Sequence, residues 1–487
     1  MMKNKFLLVI SILFALVACD PTDFGDVNVD PRQVKEAPTP TLLTYALQKM
    51  PYIAFNSPDR NESVLETNYL NFYAQYLSEG PYPGGSLYST RNLAWSDWYT
   101  GPLYNLQTII DYNNEDNALA QGYGSKNNQL AVARILKAYF FWFLTDVYGD
   151  IPYSEALKGN EVLTPAYDSQ ESIYNDLFNE LTEAQAQISE SEDAITGDIL
   201  FDGDMTMWKK FANTTRLFMS LRLIKRDPAK AQAEFTAAIN AGVLAEGENI
   251  TYQFIGGDPN NWNPWYEDYS NDNRNDYAIS NTLGDFMLAN NDPRVFIYGE
   301  NLNGQIKTLP YGSNQAKNIP GAYSRVGSSL QADNTEAPIF TYAQVLFVIA
   351  EAAQRGWAIP EEARTTQQLY EDAIKASWQF WGVYDATQYA TFIADPDIAY
   401  SAANGLERII TQKWVHQYLN GFEAWTDWRR TGYPVLTPAH DATQTGGIPR
   451  RMGYPSNANA LNENGYEAAI ARQGADTNFT RIWWDVQ

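Results

Sequence analysis

A chain of 487 residues, 45% hydrophobic and 19% charged, has material for a sizeable core and for one large domain or several ordinary ones. A formal charge of −24 offers no basic excess to release phosphate counterions, which argues against nucleic acid as a partner. One cysteine and two histidines exclude an internal disulfide framework and any cysteine-rich metal site, so neither a metal nor a cofactor is expected.

Lys3 and Lys5 precede an apolar run, Phe6 to Ala18, that is too short to span a bilayer. Leu16-Val17-Ala18-Cys19 then looks like a bacterial lipobox, which makes residues 1–18 a lipoprotein signal peptide and Cys19 the lipidated first residue. Acyl chains there would anchor the protein to a membrane without a spanning helix. From 19 to 40 proline and aspartate dominate, and the segment reads as a tether.

Thr41 to Met50 begins helical structure, and Ser63 to Leu77 continues it with Leu65, Tyr69, Phe72 or Tyr73, and Tyr76 three or four apart. Gly80 to Gly85 is a loop, followed by Tyr88 and Arg91. The helical pattern from Trp95 to Asn113 should be interrupted at Gly101-Pro102. Leu130 to Val147 is apolar almost all round, as in a buried helix. Asp168 and Glu171 resemble a capping box ahead of the stripe Ile173, Leu177, Leu181, Ala184 and Ile188. Asp204 can cap a helix from Met205 to Arg226, which Asp227-Pro228 breaks, and a short helix follows from Ala231 to Asn240. Between about 245 and 337 the periodicity fades and Asn, Asp, Gly, Trp and Tyr take over, a stretch too long for a simple connection. Helices resume at Thr341 to Gly356 and Leu369 to Gly382.

Ile410 to Pro434 carries Trp414, Trp425 and Trp428 with Arg429-Arg430; it reads as one aromatic-rich helix that Gly432 and Pro434 end. Thr437 to Gln487 is turn-rich. The fold class expected is mainly α, with tetratricopeptide-like helix pairs, a large irregular loop-rich insertion and a turn-rich C-terminus. Residues 41–487 form a single domain in this reading.

Several runs together carry a resemblance: Thr145 to Ala156; Phe201-Asp202-Gly203-Asp204 with Trp208, Lys210, Asn213 and Arg216; Asn291-Asp292-Pro293-Arg294; and Phe340 to Phe347. The Trp/Arg stretch, Ile448 to Pro455 and Thr480 to Asp485 complete it. In order and coverage the chain resembles the SusD/RagB family, SusD-like branch, of Bacteroidetes outer-membrane nutrient-binding lipoproteins. The resemblance implies four tetratricopeptide-like helix pairs and a surface-exposed lipoprotein, facing the cell exterior. Such a protein caps a SusC-like TonB-dependent transporter and captures a glycan or peptide ligand, without catalysis. Asp20, Asp23 and Asp26 resemble the export signal of surface lipoproteins in that phylum.

Holding a neutral sugar takes flat aromatic faces and planar amide, carboxylate or guanidinium groups. The irregular region supplies Trp262, Trp265, Tyr266, Asn273 and Arg274, and the early loop Tyr82, Tyr88, Arg91 and Trp95. The family places its ligand arc in such segments. Trp425, Trp428, Arg429 and Arg430 read instead as aromatic packing around buried or stacked guanidinium groups, and His416 as structural or solvent-facing. Asp272, Asn275 and Asp276 lack the spacing of a calcium loop. A surface glycoside hydrolase is the rival function, but 58 acidic residues make carboxylate pairs in sequence uninformative. A structural lid without ligand affinity is the third.

Overall fold

The computed structural model describes residues 36–56, 58, 67–89 and 95–486; the leader, Cys19 and Arg91 lie outside them. Thr39–Gln487 is one compact unit. Its first half holds α1 (Thr39–Leu47), α2 (Tyr104–Asn114), α3 (Lys126–Tyr148), α4 (Gln170–Gln187), α5 (Met205–Arg222) and α6 (Pro228–Ala241). Its second half holds α7 (Asn281–Ala289), α8 (Tyr342–Gln354), α9 (Thr366–Phe380), α10 (Ala386–Ile393), α11 (Gly405–His416), α12 (Gly421–Thr431) and α13 (Glu463–Gln473).

Side-chain caps fix most of these starts by accepting backbone N–H groups that have no partner within the helix. Ser125 accepts from Asn128 N at α3, Asp204 from Thr206 N and Met207 N at α5, and Asp227 from Lys230 N at α6. Thr341 with Gln344, and Thr365 with Gln368, make full capping boxes on α8 and α9. At α4 the expected box is displaced by one residue. Ser169 caps the helix, because the Asp168 carboxylate is already taken by Ser154 N and Oγ. Gly101 bends the chain before α2, as its Pro102 neighbour requires.

The helices stack as neighbours: α2 on α3, α3 on α4, α4 on α5, α5 on α6, and α8 on both α9 and α11. This is the tetratricopeptide-like arrangement. α3 runs through the centre, with Ile135, Leu136, Phe140 and Leu144 fully buried. The irregular region is tied at its base by an antiparallel ladder of β4 (Asn249–Gln253) and β6 (Glu336–Thr341). Two shorter ladders pair β1 (Leu77–Glu79) with β5 (Tyr277–Ile279), and β2 (Ile151–Pro152) with β3 (Tyr167–Asp168).

The Trp/Arg stretch departs from the single helix expected. α11 stops at His416, Leu419 takes a positive φ of 66°, and Asn420 restarts the chain as α12 by accepting from Glu423 N. Gly421 lets the start of α12 lie against the backbone of the short helix Tyr69–Tyr73: a Cβ there would stand 2.3 Å from the Leu70 carbonyl carbon. Gly432 ends α12 in the left-handed conformation. The C-terminal region also differs from expectation, since Asn462 caps an eleven-residue helix, α13, inside it.

The aromatic and guanidinium groups of this stretch form an internal clasp. Trp425 Nε1 donates to Pro449 O (2.7 Å), the Arg450 guanidinium lies 4.5 Å from the Trp428 ring centre, and Trp484 Nε1 donates to Asp146 Oδ1 (2.7 Å). Buried charge is answered by buried charge: Arg430 binds Glu351 (2.5 Å) and Asp427 (2.6 Å), Lys413 binds Asp427 (2.9 Å), and Arg222 bridges Asp146 and Glu423. Burial would raise the Glu351 carboxyl, but Arg430 and Arg355 overcome it and hold it well below the usual carboxylate range. His416 is buried and structural, one ring nitrogen 2.7 Å from Thr341 Oγ1 and the other 2.8 Å from Ser377 Oγ. Among the described residues no helix is long and apolar enough to cross a membrane.

Candidate functional site

Three residues of β1 and three of β5 bring the early loop and the irregular region together. Leu77 pairs with Ile279, Ser78 with Ala278 and Glu79 with Tyr277, and Gly80 N extends the ladder by donating to Asp276 O (2.8 Å). The loop beyond is held from beneath: the Glu79 carboxylate accepts from Ser86 N (2.7 Å) and Ser86 Oγ (3.1 Å). That leaves the Tyr82 ring 69% exposed at the tip.

From the other side, Arg274 donates through Nε (2.8 Å) and Nη2 (2.5 Å) to Asp276 Oδ2, and its guanidinium carbon stands 5.9 Å from the Tyr82 ring centre. The Asp276 hydrogen bond raises the Arg274 pKa further above its ordinary value, so the group stays charged. Asn273, exposed beside it, takes a positive φ of 52°. Behind them Arg325 pairs with Glu300 through two 3.0 Å contacts and donates to Asn275 Oδ1 (3.2 Å). An exposed aromatic face, a guanidinium held at a fixed angle and an exposed amide are the groups that take up C–H faces and hydroxyls of a sugar.

The other candidates are distributed differently. Trp262 and Tyr266 are half-buried and meet edge to face at 5.2 Å, one turn apart. Trp265 is not a surface residue: it is fully buried, stacked on Tyr269 (5.8 Å, 21°) and edge-on to Tyr277 (5.9 Å). Asn263 aims it inward by capping the short helix Pro264–Tyr266 and donating to Leu330 O (2.7 Å) and Ala332 O (2.9 Å). Tyr88 is likewise internal. Its hydroxyl accepts from Ala439 N (3.1 Å), burial raises its pKa, and it holds the C-terminal segment to the loop. Trp95 is half-buried among Tyr99, Tyr148, Tyr167 and Tyr454, and borders an apolar cleft that neither Tyr82 nor Arg274 lines. Arg91 lies outside the described residues.

Two supporting residues had no sequence signal of their own. Asp276, 8% exposed, orients Arg274, and Gln48, just past the end of α1, donates to Asn261 Oδ1 (2.9 Å) beside Trp262. The i, i+4 spacing of Trp262 with Tyr266 and of Trp265 with Tyr269 sorts the four rings into two faces, without telling which of the two turns inward.

A SusD-like family model, described as starch-binding and associating with the outer membrane, matches residues 31–455. Among solved structures the fold is shared with a chitin-binding protein at 28% identity and a TM-score of 0.77, covering 92% of this chain and 100% of that one. A chitin-binding SusD homolog from Flavobacterium johnsoniae is 26% identical with a TM-score of 0.76, over 92% of this chain and 99% of its own. A SusD homolog from Bacteroides uniformis is similar to the same extent, at 26% identity, TM-score 0.76 and the same coverage. No relative matches among curated proteins.

Proposed function

The chain belongs to the SusD-like family of starch-binding proteins that associate with the outer membrane, and we propose that it captures nutrient oligosaccharides for a TonB-dependent transporter there. The observation that carries the reading is the meeting of Tyr82 and Arg274 across the β1–β5 ladder. It exposes an aromatic face beside an oriented guanidinium, with Asn273, Trp262 and Tyr266 as further candidate contacts. The role is binding, with no reaction assigned.

In this reading residues 1–18 are removed, Cys19 carries the lipid, the tether expected over 19–40 ends where α1 begins at Thr39, and the domain faces the cell exterior on a SusC-like partner. The chitin-binding relatives make N-acetylglucosamine oligomers the first ligands to try, and the family description adds starch oligomers. Calorimetry on the chain from Asp20 onward with both sets, and peptides as a third, tests capture. Failure of every glycan to bind would sink it. Co-purification of an outer-membrane transporter in mild detergent tests the partnership, and a chain that extracts alone counts against it.

A further inference from the structure

Three helices each turn one stripe of side chains towards a cleft that the proposed glycan surface does not use. The stripes are Tyr104, Gln107 and Asp111 on α2, Lys137 and Phe141 on α3, and Ser172, Asp176 and Glu180 on α4, always three or four residues apart. The segment from Tyr153 to Glu161 closes the cleft, which encloses about 800 Å³. Across Ala156, Leu157, Lys158 and Gly159, and sharing Tyr104, lies a second cleft of about 680 Å³. Each volume is that of a small-molecule site rather than of a protein interface.

The two halves differ in chemistry. The second is apolar, lined by Trp95, Tyr99, Val162, Leu163 and Leu461, with Leu163 78% and Leu461 67% exposed. Uncovered apolar side chains grouped in a concavity gain free energy when an apolar group displaces their water. The first is acidic: Asp111, Glu115, Glu161, Asp168, Asp176 and Glu180 stand against Lys137 and Lys158. Much of that charge accepts a hydrogen bond or an ion pair: Asp176 from the Tyr153 hydroxyl (2.6 Å), Glu180 from Arg134 (2.8 Å), Asp168 from Ser154 N (2.8 Å) and Asp111 from Gln107 Nε2 (2.8 Å). Lys137 is spent inward, its Nζ donating to Gln107 Oε1 (3.0 Å). An acidic excess remains between low-dielectric walls, where it focuses field on a cation. Tyr104, half-exposed at the junction, offers its ring to either half.

We propose that these joined clefts form a second binding site, separate from the glycan surface, for a small amphipathic cation: an ammonium or guanidinium joined to an aromatic or branched alkyl body. A neutral sugar leaves the acidic half unanswered, and an anionic lipid surface would be repelled by it. The acidic half takes the cationic head, and the Trp95–Leu163–Leu461 half takes the body. The site stands independently of the glycan reading.

Titration calorimetry on the chain from Asp20 onward tests it, with arginyl-phenylalanine amide as the peptide source and tryptamine as the non-peptide source. The uncharged acetyl-phenylalanine amide is the control. The cation binds about ten-fold more tightly than the control, and the gap narrows several-fold in about 0.3 M salt. Binding of one probe alone identifies the source. Asp111→Asn with Glu161→Gln weakens the cation several-fold and leaves the control unchanged, while Leu163→Ser weakens both. These side chains are at the surface, so thermal melts of the variants match the parent. Absence of binding by both cations, equal binding of the control, or unchanged affinity in the variants overturns the proposal. Displacement of the cation by chitohexaose overturns its separation from the glycan surface, whereas failure of every glycan to bind leaves it standing.

Discussion

The Arg429 guanidinium carbon lies 3.6 Å from the centre of the Trp425 ring and 4.6 Å from that of Trp484. Its Nη1 donates to Asp146 O (2.7 Å) and Arg450 O (3.0 Å), and its Nη2 to Thr426 Oγ1 (2.8 Å). Burial pulls its pKa down to about 9, still above neutrality, so a charged planar group is the central piece of the clasp. Arg429→Ala is expected to lower the unfolding free energy by about 2–4 kcal/mol, since it strands two buried carbonyls and leaves a void. Arg429→Lys should recover little, because an ammonium cannot stack flat between rings. Urea denaturation of the two variants checks both.

The proposed glycan surface makes the opposite demand. Tyr82→Ala and Arg274→Ala are each expected to weaken oligosaccharide binding about ten-fold while leaving the melting temperature within a degree or two. Trp265→Ala is expected to cost about 3–5 kcal/mol of stability, because it empties a packed position under the same surface. Calorimetry paired with thermal melts separates the cases; a Tyr82→Ala chain of full affinity would remove that ring from the site.

His416 sets a pH dependence. Burial first, then Arg294 and Lys413, lowers its pKa well below the ordinary value of 6.5. Above about pH 6.5 the imidazole is neutral in both states; below it the unfolded chain takes up a proton that the folded chain refuses. Stability is therefore present above pH 6.5 and lost as pH falls, by up to about 1.4 kcal/mol per unit. Urea midpoints at pH 7.5 and 5.5 should converge in His416→Asn, at a lower absolute stability. Equal pH slopes in the variant and its parent would assign the acid sensitivity elsewhere.

Gly421 sits where α12 touches the Tyr69–Tyr73 backbone, with Leu70 and Asn71 main-chain atoms within 2.3–2.6 Å of an added Cβ. The obstacle is main chain, which cannot rotate away. Gly421→Ala is expected to destabilise by about 1–3 kcal/mol, against the usual gain for alanine in a helix. Differential scanning calorimetry measures it; a stabilised variant would mean the contact is looser than it stands.

The long helices were legible because caps and stripes are local: Asp204 caps as its position announces, and α3 is buried almost all round as its composition demands, whereas Asp227, expected only to break the chain, also caps α6 and starts it at Pro228 rather than Ala231. The clasp was legible as packing, since crowded Trp and Arg in so acidic a chain need buried partners. Three features were not. The break before Asn420 rests on a positive φ at Leu419, which leucine does not advertise. The β1–β5 ladder is three residues long, below any periodic signal, so the partnership of Tyr82 and Arg274 had no local trace. Trp265 and Trp262 are near neighbours of one type; only the Asn263 cap, a tertiary anchor to Leu330 and Ala332, decides which faces inward.

That ladder joins strands from opposite ends of a long loop, Ser78 against Ala278. Closing such a loop loses chain entropy that local contacts cannot repay, so the pairing belongs to the late, non-local part of folding. Tyr82 and Arg274 are consequently strangers until most of the chain is in place. If the proposed surface binds glycan, affinity there is then a report on completed folding: a nascent or clipped chain ending before Arg274 would display the tyrosine without its guanidinium partner.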